Sequence, residues 1–252
     1  MKRTHTIITA LLLIGTILPS NILVFGESTD VSYSQTNETE LNVTVKLGNI
    51  ELAERIENGE QFVELFLDGS HMSQLVGGPA LPMINSLIEM PQNSDPRIEI
   101  NSSTYKEYTF NELGLEGRVY PTQEPISKSQ DESTIIFTIN EDIYYQNGYT
   151  NEMLASIRDE GTMRSLRIGN LMISPIQYNP LESKLRIYDS IELSVHFDNA
   201  DLNKTSELKD MYYSPYFESI YRQISNYSPS VRYDDMINDP VTYVIVTNPI
   251  FL

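Results

Sequence analysis

The chain has 252 residues, 40% hydrophobic and 21% charged, with a formal net charge of −18, 16 tyrosines and no cysteine. That length can bury a sizeable core without disulfide staples, and the lack of cysteine excludes a thiolate nucleophile and a thiolate metal site. The acidity argues against nucleic acid or an anionic membrane as partner, because both are held by a basic footprint.

Lys2 and Arg3 precede an apolar run over residues 7–25, and Val24 and Gly26 suit the −3 and −1 positions of a signal-peptidase site. Residues 1–26 therefore read as a signal peptide cut between Gly26 and Glu27, which makes the chain secreted. An uncleaved anchor is the competing reading, disfavoured by Pro19 and Asn21 within the run. Removal of the leader takes two of the 17 basic residues and none of the 35 acidic ones, leaving −20 on a chain with no membrane partner.

Residues 27–40 are polar and acidic and read as a disordered leader. Residues 41–47 alternate, with Leu41, Val43, Val45 and Leu47 on one face of a half-buried strand. A second strand over 61–67 ends at the Asp68-Gly69 turn signal. Strand-like runs recur at 83–90, 97–100, 105–110, 135–139, 166–173, 184–188 and 191–197, separated by Pro, Gly, Asn and Asp. A short helix is expected over 151–158. A better one opens at Ser214-Pro215, with Ser as N-cap, Pro at the first helical position and Phe217, Ile220, Tyr221 and Ile224 on one face. The expected fold is all-β: an antiparallel β-sandwich or barrel-like domain over 41–226 with one C-terminal helix. An exposed linker follows over 227–239. Residues 241–246 form a β-branched run without alternation, which suits the first strand of a separate parallel α/β domain beginning at 240–252.

Candidate chemistry is sparse. His5 leaves with the leader, and His196 has the parity of an outward side chain on its strand. His71 follows Ser70, but adjacent residues seldom reach the geometry of a nucleophile and its base. The sequence contains no Gly-x-Ser-x-Gly elbow, phosphate loop, paired-His zinc helix or EF-hand. With 35 acidic residues, any carboxylate pair is arbitrary. The tyrosines suit half-buried packing or a stacking surface for sugars or peptides. No catalytic residue is assigned in this chain.

Several short motifs, in order, resemble the propeptide region of gingipain-type cysteine peptidases (family C25, clan CD). Gly78-Pro79-Ala80-Leu81-Pro82 is similar to an element near the start of that prodomain. Pro175-Ile176-Gln177-Tyr178-Asn179-Pro180, followed by Lys184-Leu185-Arg186-Ile187-Tyr188, is the strongest match. Residues 240–251 resemble the opening strand of the caspase-like catalytic domain. The likeness runs from about residue 41 to the end.

The resemblance implies an inhibitory and folding-assistant β-domain of a secreted zymogen, whose partner is its own C25 catalytic domain, missing from this chain. It implies a basic residue on a prodomain loop that fills the specificity pocket like a substrate. Lys128 is the one cation in residues 125–130, with a solvated loop lysine as the alternative. It further implies a processing cut after Arg232, before Tyr233, in the linker. The family's catalytic His and Cys belong to the missing domain. No cofactor is expected here, and any calcium belongs to that domain. Lys128 and Arg232 point to different parent specificities. The competing reading is a secreted non-enzymatic binding module, an adhesin or carbohydrate-binding β-sandwich, in which residues 241–246 would complete the sheet.

Overall fold

Alternating runs joined by tight turns set the architecture. The computed structural model describes residues 21–128, 136–150 and 153–228. In these residues, three mostly antiparallel sheets share one core. The first sheet has the order β1 (Asn21–Leu23), β4 (Ile50–Glu57), β5 (Glu60–Leu67) and β9 (Arg118–Val119), the last pair parallel. The second runs β10 (Ala155–Met163), β11 (Leu166–Ile173), β7 (Pro82–Met90) and β6 (His71–Met72). The third is centred on β13 (Lys184–Asp198), flanked along its length by β8 (Asp95–Thr109). Its other side meets β12 (Ile176–Asn179) and then β3 (Glu40–Lys46), which carries β2 (Asp30–Asn37).

Leu41, Val43 and Val45 of β3, Leu52 of β4, Val63 and Leu65 of β5, Ile88 of β7, Leu171 of β11 and Leu193 of β13 all bury in that core. Each such side chain contributes about 1.5–3 kcal/mol by leaving water. The all-β fold expected from the sequence is therefore what forms, and the strands expected at 41–47, 61–67, 83–90 and 166–173 are present.

Elsewhere the structure corrects the sequence reading. Residues 30–37 of the expected disordered leader pair with β3 as β2, because Tyr33 and Val31 pack on the core although the other side chains are polar. Of the expected helix at 151–158, residues 155–158 are instead the start of β10, whose Ala155–Ile157 register on β11; residues 151–152 lie outside the described residues. The two runs at 97–100 and 105–110 are one strand, β8, and those at 184–188 and 191–197 are one strand, β13, bulged between Tyr188 and Ser190. Residues 136–140 form no strand. Two helices, not one, end the domain: α2 (Leu202–Met211) and α3 (Pro215–Tyr221), after a single turn α1 (Glu141–Tyr144). Asp201 caps α2, its carboxylate accepting from Lys204 N at 2.9 Å.

Packing and edge pairing place the chain's C-terminal part. Tyr221 and Ile224 bury against Leu166 and Ile168 of β11. Ser225 N donates to Leu87 O at 2.9 Å, while the Asn226 amide accepts from Glu89 N at 2.6 Å and donates to Glu89 O at 3.0 Å. Residues 225–226 thus take the place of a strand along β7. At the opposite end, β1 pairs with β4 and the Phe25 ring meets Tyr108. A cut between Gly26 and Glu27 would remove that edge strand. Residues 241–246, with their part in either reading, lie outside the described residues.

Candidate functional site

Three segments of chain converge at one end of the first sheet and hold up the loop that carries Lys128. Tyr120, just past β9, donates to Val63 O at 2.8 Å and accepts from Ala80 N at 2.8 Å. Thr122 N donates to Gly78 O, and Gly77 N to Thr122 O, both at 2.8 Å. The third limb joins when Asn140 N donates to Gly77 O at 2.9 Å. Gly77 can serve both limbs because it has no Cβ: its φ is +77°, and a Cβ there would lie 2.9 Å from Asn140 N. Ser73 locks the turn, its hydroxyl donating to Pro79 O at 2.9 Å and accepting from Leu81 N at 3.1 Å.

The Gln123 side chain closes the stem. Its Nε2 donates to Thr138 O at 2.9 Å and to Pro121 O at 3.0 Å, while its Oε1 accepts from Thr138 N at 2.8 Å. One amide thereby stands in for a strand residue and ties the segment that leads to Lys128 to Thr138. Each of these hydrogen bonds contributes about 0.5–1.5 kcal/mol. Gln123→Ala is expected to speed tryptic cutting at Lys128 several-fold in limited proteolysis, since an unclamped stem frays more often; an unchanged rate would show the clamp to be inert.

Aromatic rings anchor the stem on the outer face of the sheet. In β5, Val63, Leu65 and Leu67 point to the core, so Phe62, Glu64 and Phe66 lie on the opposite face. Phe62 is nonetheless fully buried, because Tyr120 and Phe137 cover it with ring centroids 5.7 and 5.5 Å away. Arg55 lies 4.3 Å over Tyr120, and Arg118 lies 5.5 Å over Phe62 and 5.0 Å over Tyr144.

Arg118 also grips Glu141 through both carboxylate oxygens, at 2.7 and 3.0 Å, and Glu60 at 2.7 Å. The hydrogen bond from Arg118 holds the Glu141 carboxyl below its ordinary value of 4.5. A folded-state value below the unfolded one means that this stabilisation is complete above about pH 4.5 and is lost as pH falls below it. The pair is partly exposed, which limits its strength. Urea unfolding at pH 6 and pH 3.5 should therefore show a smaller acid-induced loss in Glu141→Gln than in the unsubstituted chain.

Lys128 itself sits in an exposed turn with exposed Glu124, Pro125, Ile126 and Ser127 before it, and forms no ion pair among the described residues. The Gly78–Pro82 motif builds the stem, with Pro79 bridged to Pro121 and Leu81 buried. The 175–180 motif forms β12 and its turn, where Tyr178 buries completely and stacks on Phe110 at 5.6 Å. Arg232 and Tyr233 lie outside the described residues. Glu27 is exposed and Gly26 half-buried.

The remaining sequence candidates are dispersed. The Ser70 hydroxyl donates to Leu67 O at 2.7 Å and so is not directed at His71. His196 is half-buried, with Nε2 3.4 Å from Glu99. Gln123, Gly77 and the Phe62–Tyr120–Phe137 group escaped the sequence reading; only the Gly78–Pro82 motif marked their neighbourhood. Among the described residues, no three His, Asp or Glu side chains gather as a metal site, and no helix is long and apolar enough to cross a membrane.

Comparison with known proteins adds a family context. The family model Propeptide_C25 matches residues 24–221. Lys-gingipain of Porphyromonas gingivalis is 31% identical over 212 residues, covering 84% of this chain and 12% of that protein. Gingipain R1 of the same organism is 24% identical over 195 residues, covering 77% of this chain and 19% of that protein. The chain thus spans about an eighth of the length of the Lys-gingipain it resembles. A solved structure described as giving structural insight into zymogenic latency of gingipain K from P. gingivalis matches with a TM-score of 0.65 at 26% identity, covering 72% of this chain and 100% of that one. The complex of P. gingivalis RgpB pro- and mature domains matches in fold, with a TM-score of 0.64 at 18% identity over 78% of this chain and 96% of that one.

Proposed function

The chain belongs to the C25 propeptide family, and on that premise we propose that it is the inhibitory, folding-assistant propeptide of a secreted gingipain-like cysteine endopeptidase. Its partner is the catalytic domain of the same precursor, and its action is substrate-like occlusion of the cleft. The observation that carries this reading is the mounting of Lys128: an exposed lysine free of ion pairs among the described residues, on a loop whose two limbs are tied by Gln123. A loop whose stem is tied before binding loses less entropy on binding. It therefore suits an inhibitor that must hold a cleft shut without being released as product.

A lysine at the loop and the higher identity to Lys-gingipain than to Gingipain R1 favour a parent that accepts lysine. Lys128 enters the specificity pocket, where its ammonium replaces that of a substrate. Residues 1–26 direct export, and cleavage after Arg232, before Tyr233, separates the propeptide from the enzyme.

Titration of the purified chain into its cognate catalytic domain with a lysyl substrate tests the proposal. Competitive inhibition at or below micromolar concentration is expected. Full activity in the presence of an excess of folded chain would overturn it.

A further inference from the structure

The described residues cover only half of the outer face of the first sheet. Tyr120 and Phe137 close over Phe62, but four residues along β5 the same face ends at Phe66, which is 44% exposed. Beside Phe66 lies Met72, 39% exposed, and the two line a groove of about 290 Å³ with Ala80, Tyr120, Pro121 and Thr122. The one charged residue in its lining, Glu64, is paired with Arg55 at 2.9 Å, so the groove presents apolar surface with its charge compensated. Leu75, on the turn that Gly77 and Gly78 tie to Thr122, is 61% exposed, and Ile126 on the loop is 51% exposed. Large apolar side chains left open together, rather than singly, mark an interaction surface.

We propose that this groove is a second docking surface for the catalytic domain, receiving an apolar, uncharged ridge outside the specificity pocket. The inference rests on the reading of Lys128 as the pocket-filling residue. Continuity selects the occupant: Tyr120, Pro121 and Thr122 belong to both the groove and the stem of the Lys128 loop. Gln123 also lines the groove, and five extended residues to Lys128 reach at most about 17 Å. Whatever receives Lys128 therefore lies alongside the groove. An acidic chain that docks through one lysine gains its remaining affinity from apolar burial next to that lysine, and here the described residues leave that area uncovered.

A double-mutant cycle tests the proposal: inhibition constants for the unsubstituted chain, Phe66→Ser/Met72→Ser, Lys128→Ala and the triple variant against the cognate catalytic domain. The serine pair is expected to weaken inhibition at least tenfold, and by the same factor in the Lys128→Ala background, since independent contacts add. Its melting temperature should be unchanged, both side chains being already partly in water. Leu75→Ser, at a side chain 61% exposed beside the groove's Gly77–Gly78 turn, should weaken inhibition in the same direction and serves if the pair fails to fold. Equal inhibition constants with and without the serine pair, or a factor that disappears in the Lys128→Ala background, would overturn the second surface. So would a change of the free chain from dimer to monomer on serine substitution, which would assign the groove to a second copy. An unsubstituted chain that does not inhibit would instead remove the underlying functional reading.

Discussion

Lys128→Ala is expected to weaken inhibition of the cognate catalytic domain by about 30- to 3,000-fold without altering the melting temperature. Truncating one partner of a desolvated charge pair costs about 2–5 kcal/mol, and each 1.4 kcal/mol is tenfold in affinity. The stability of the free domain should not follow, because Lys128 is exposed and forms no ion pair among the described residues. Lys128→Arg separates a pocket for lysine from one for arginine: a lysine-accepting parent is inhibited less well by the arginine variant, since the planar fork and the compact ammonium are not interchangeable. Inhibition constants from steady-state competition give both results. An unchanged constant for Lys128→Ala would withdraw the residue from the pocket while leaving the other propeptide contacts in place.

Phe62→Ala should have the largest effect on stability in this part of the fold. Phe62 is fully buried on the outer face of the sheet, held between Tyr120 and Phe137 and under Arg118. Removing such a ring from a packed site costs about 3–5 kcal/mol, against a total of about 5–15 kcal/mol for a domain. A fall in melting temperature of about 6–20 °C follows for a domain of this size. The same change removes what Phe137 rests on, so inhibition should weaken even though Lys128 is intact. If stability falls as expected at unchanged inhibition constant, the stem is a structural feature only and the loop holds its shape without it.

The two effects differ in kind. Lys128 is exposed and, as proposed, acts only when a partner is present, whereas Phe62 is buried at the base of the stem and acts on the free domain. Gln123 lies between them: its amide ties Thr138 and Pro121 without burying apolar area. Stability should therefore decrease less for Gln123→Ala than for Phe62→Ala, while the proteolytic sensitivity of the loop increases in both.

Much of the sheet framework was legible because its inner face alternates. Residues 41–47 reveal themselves by period two, and their odd members are the ones that bury; residues 166–173 are apolar on both faces, Leu171 and Ile173 burying in the main core and Leu166 and Ile168 under Tyr221 and Ile224. Strand β4 was not legible: Ile-Glu-Leu-Ala-Glu-Arg-Ile-Glu has the composition of a helix, and its state is decided by pairing with β5 through the turn at Asn58 and Gly59, both at positive φ. The polar strand β2 is likewise fixed by its neighbour β3 rather than by its own residues. The long strands β8 and β13 read as two runs each because bulges shift the alternation. Helix α2 carries no buried residue and so lacks an apolar stripe; Asp201 and the Lys209–Glu89 ion pair at 2.5 Å hold it instead.

The candidate site was legible at its tip and hidden at its base. A lone lysine in a turn-rich segment is visible in sequence. The stem is built from residues far apart in the chain, Phe62, Gly77, Gln123 and Thr138, whose side chains and backbone meet only in the folded domain. Phe137 falls in a run expected to be a strand, yet its role is to cover Phe62 from the loop's returning limb.

The central claim, that this domain closes a cysteine peptidase cleft with the Lys128 loop, is tested most directly by the rate at which the cognate enzyme's catalytic cysteine is alkylated under saturating propeptide. Strong protection by the unsubstituted chain, and its loss in Lys128→Ala at equal occupancy, is the predicted result. Alkylation at the rate of the free enzyme while the complex remains intact would contradict it.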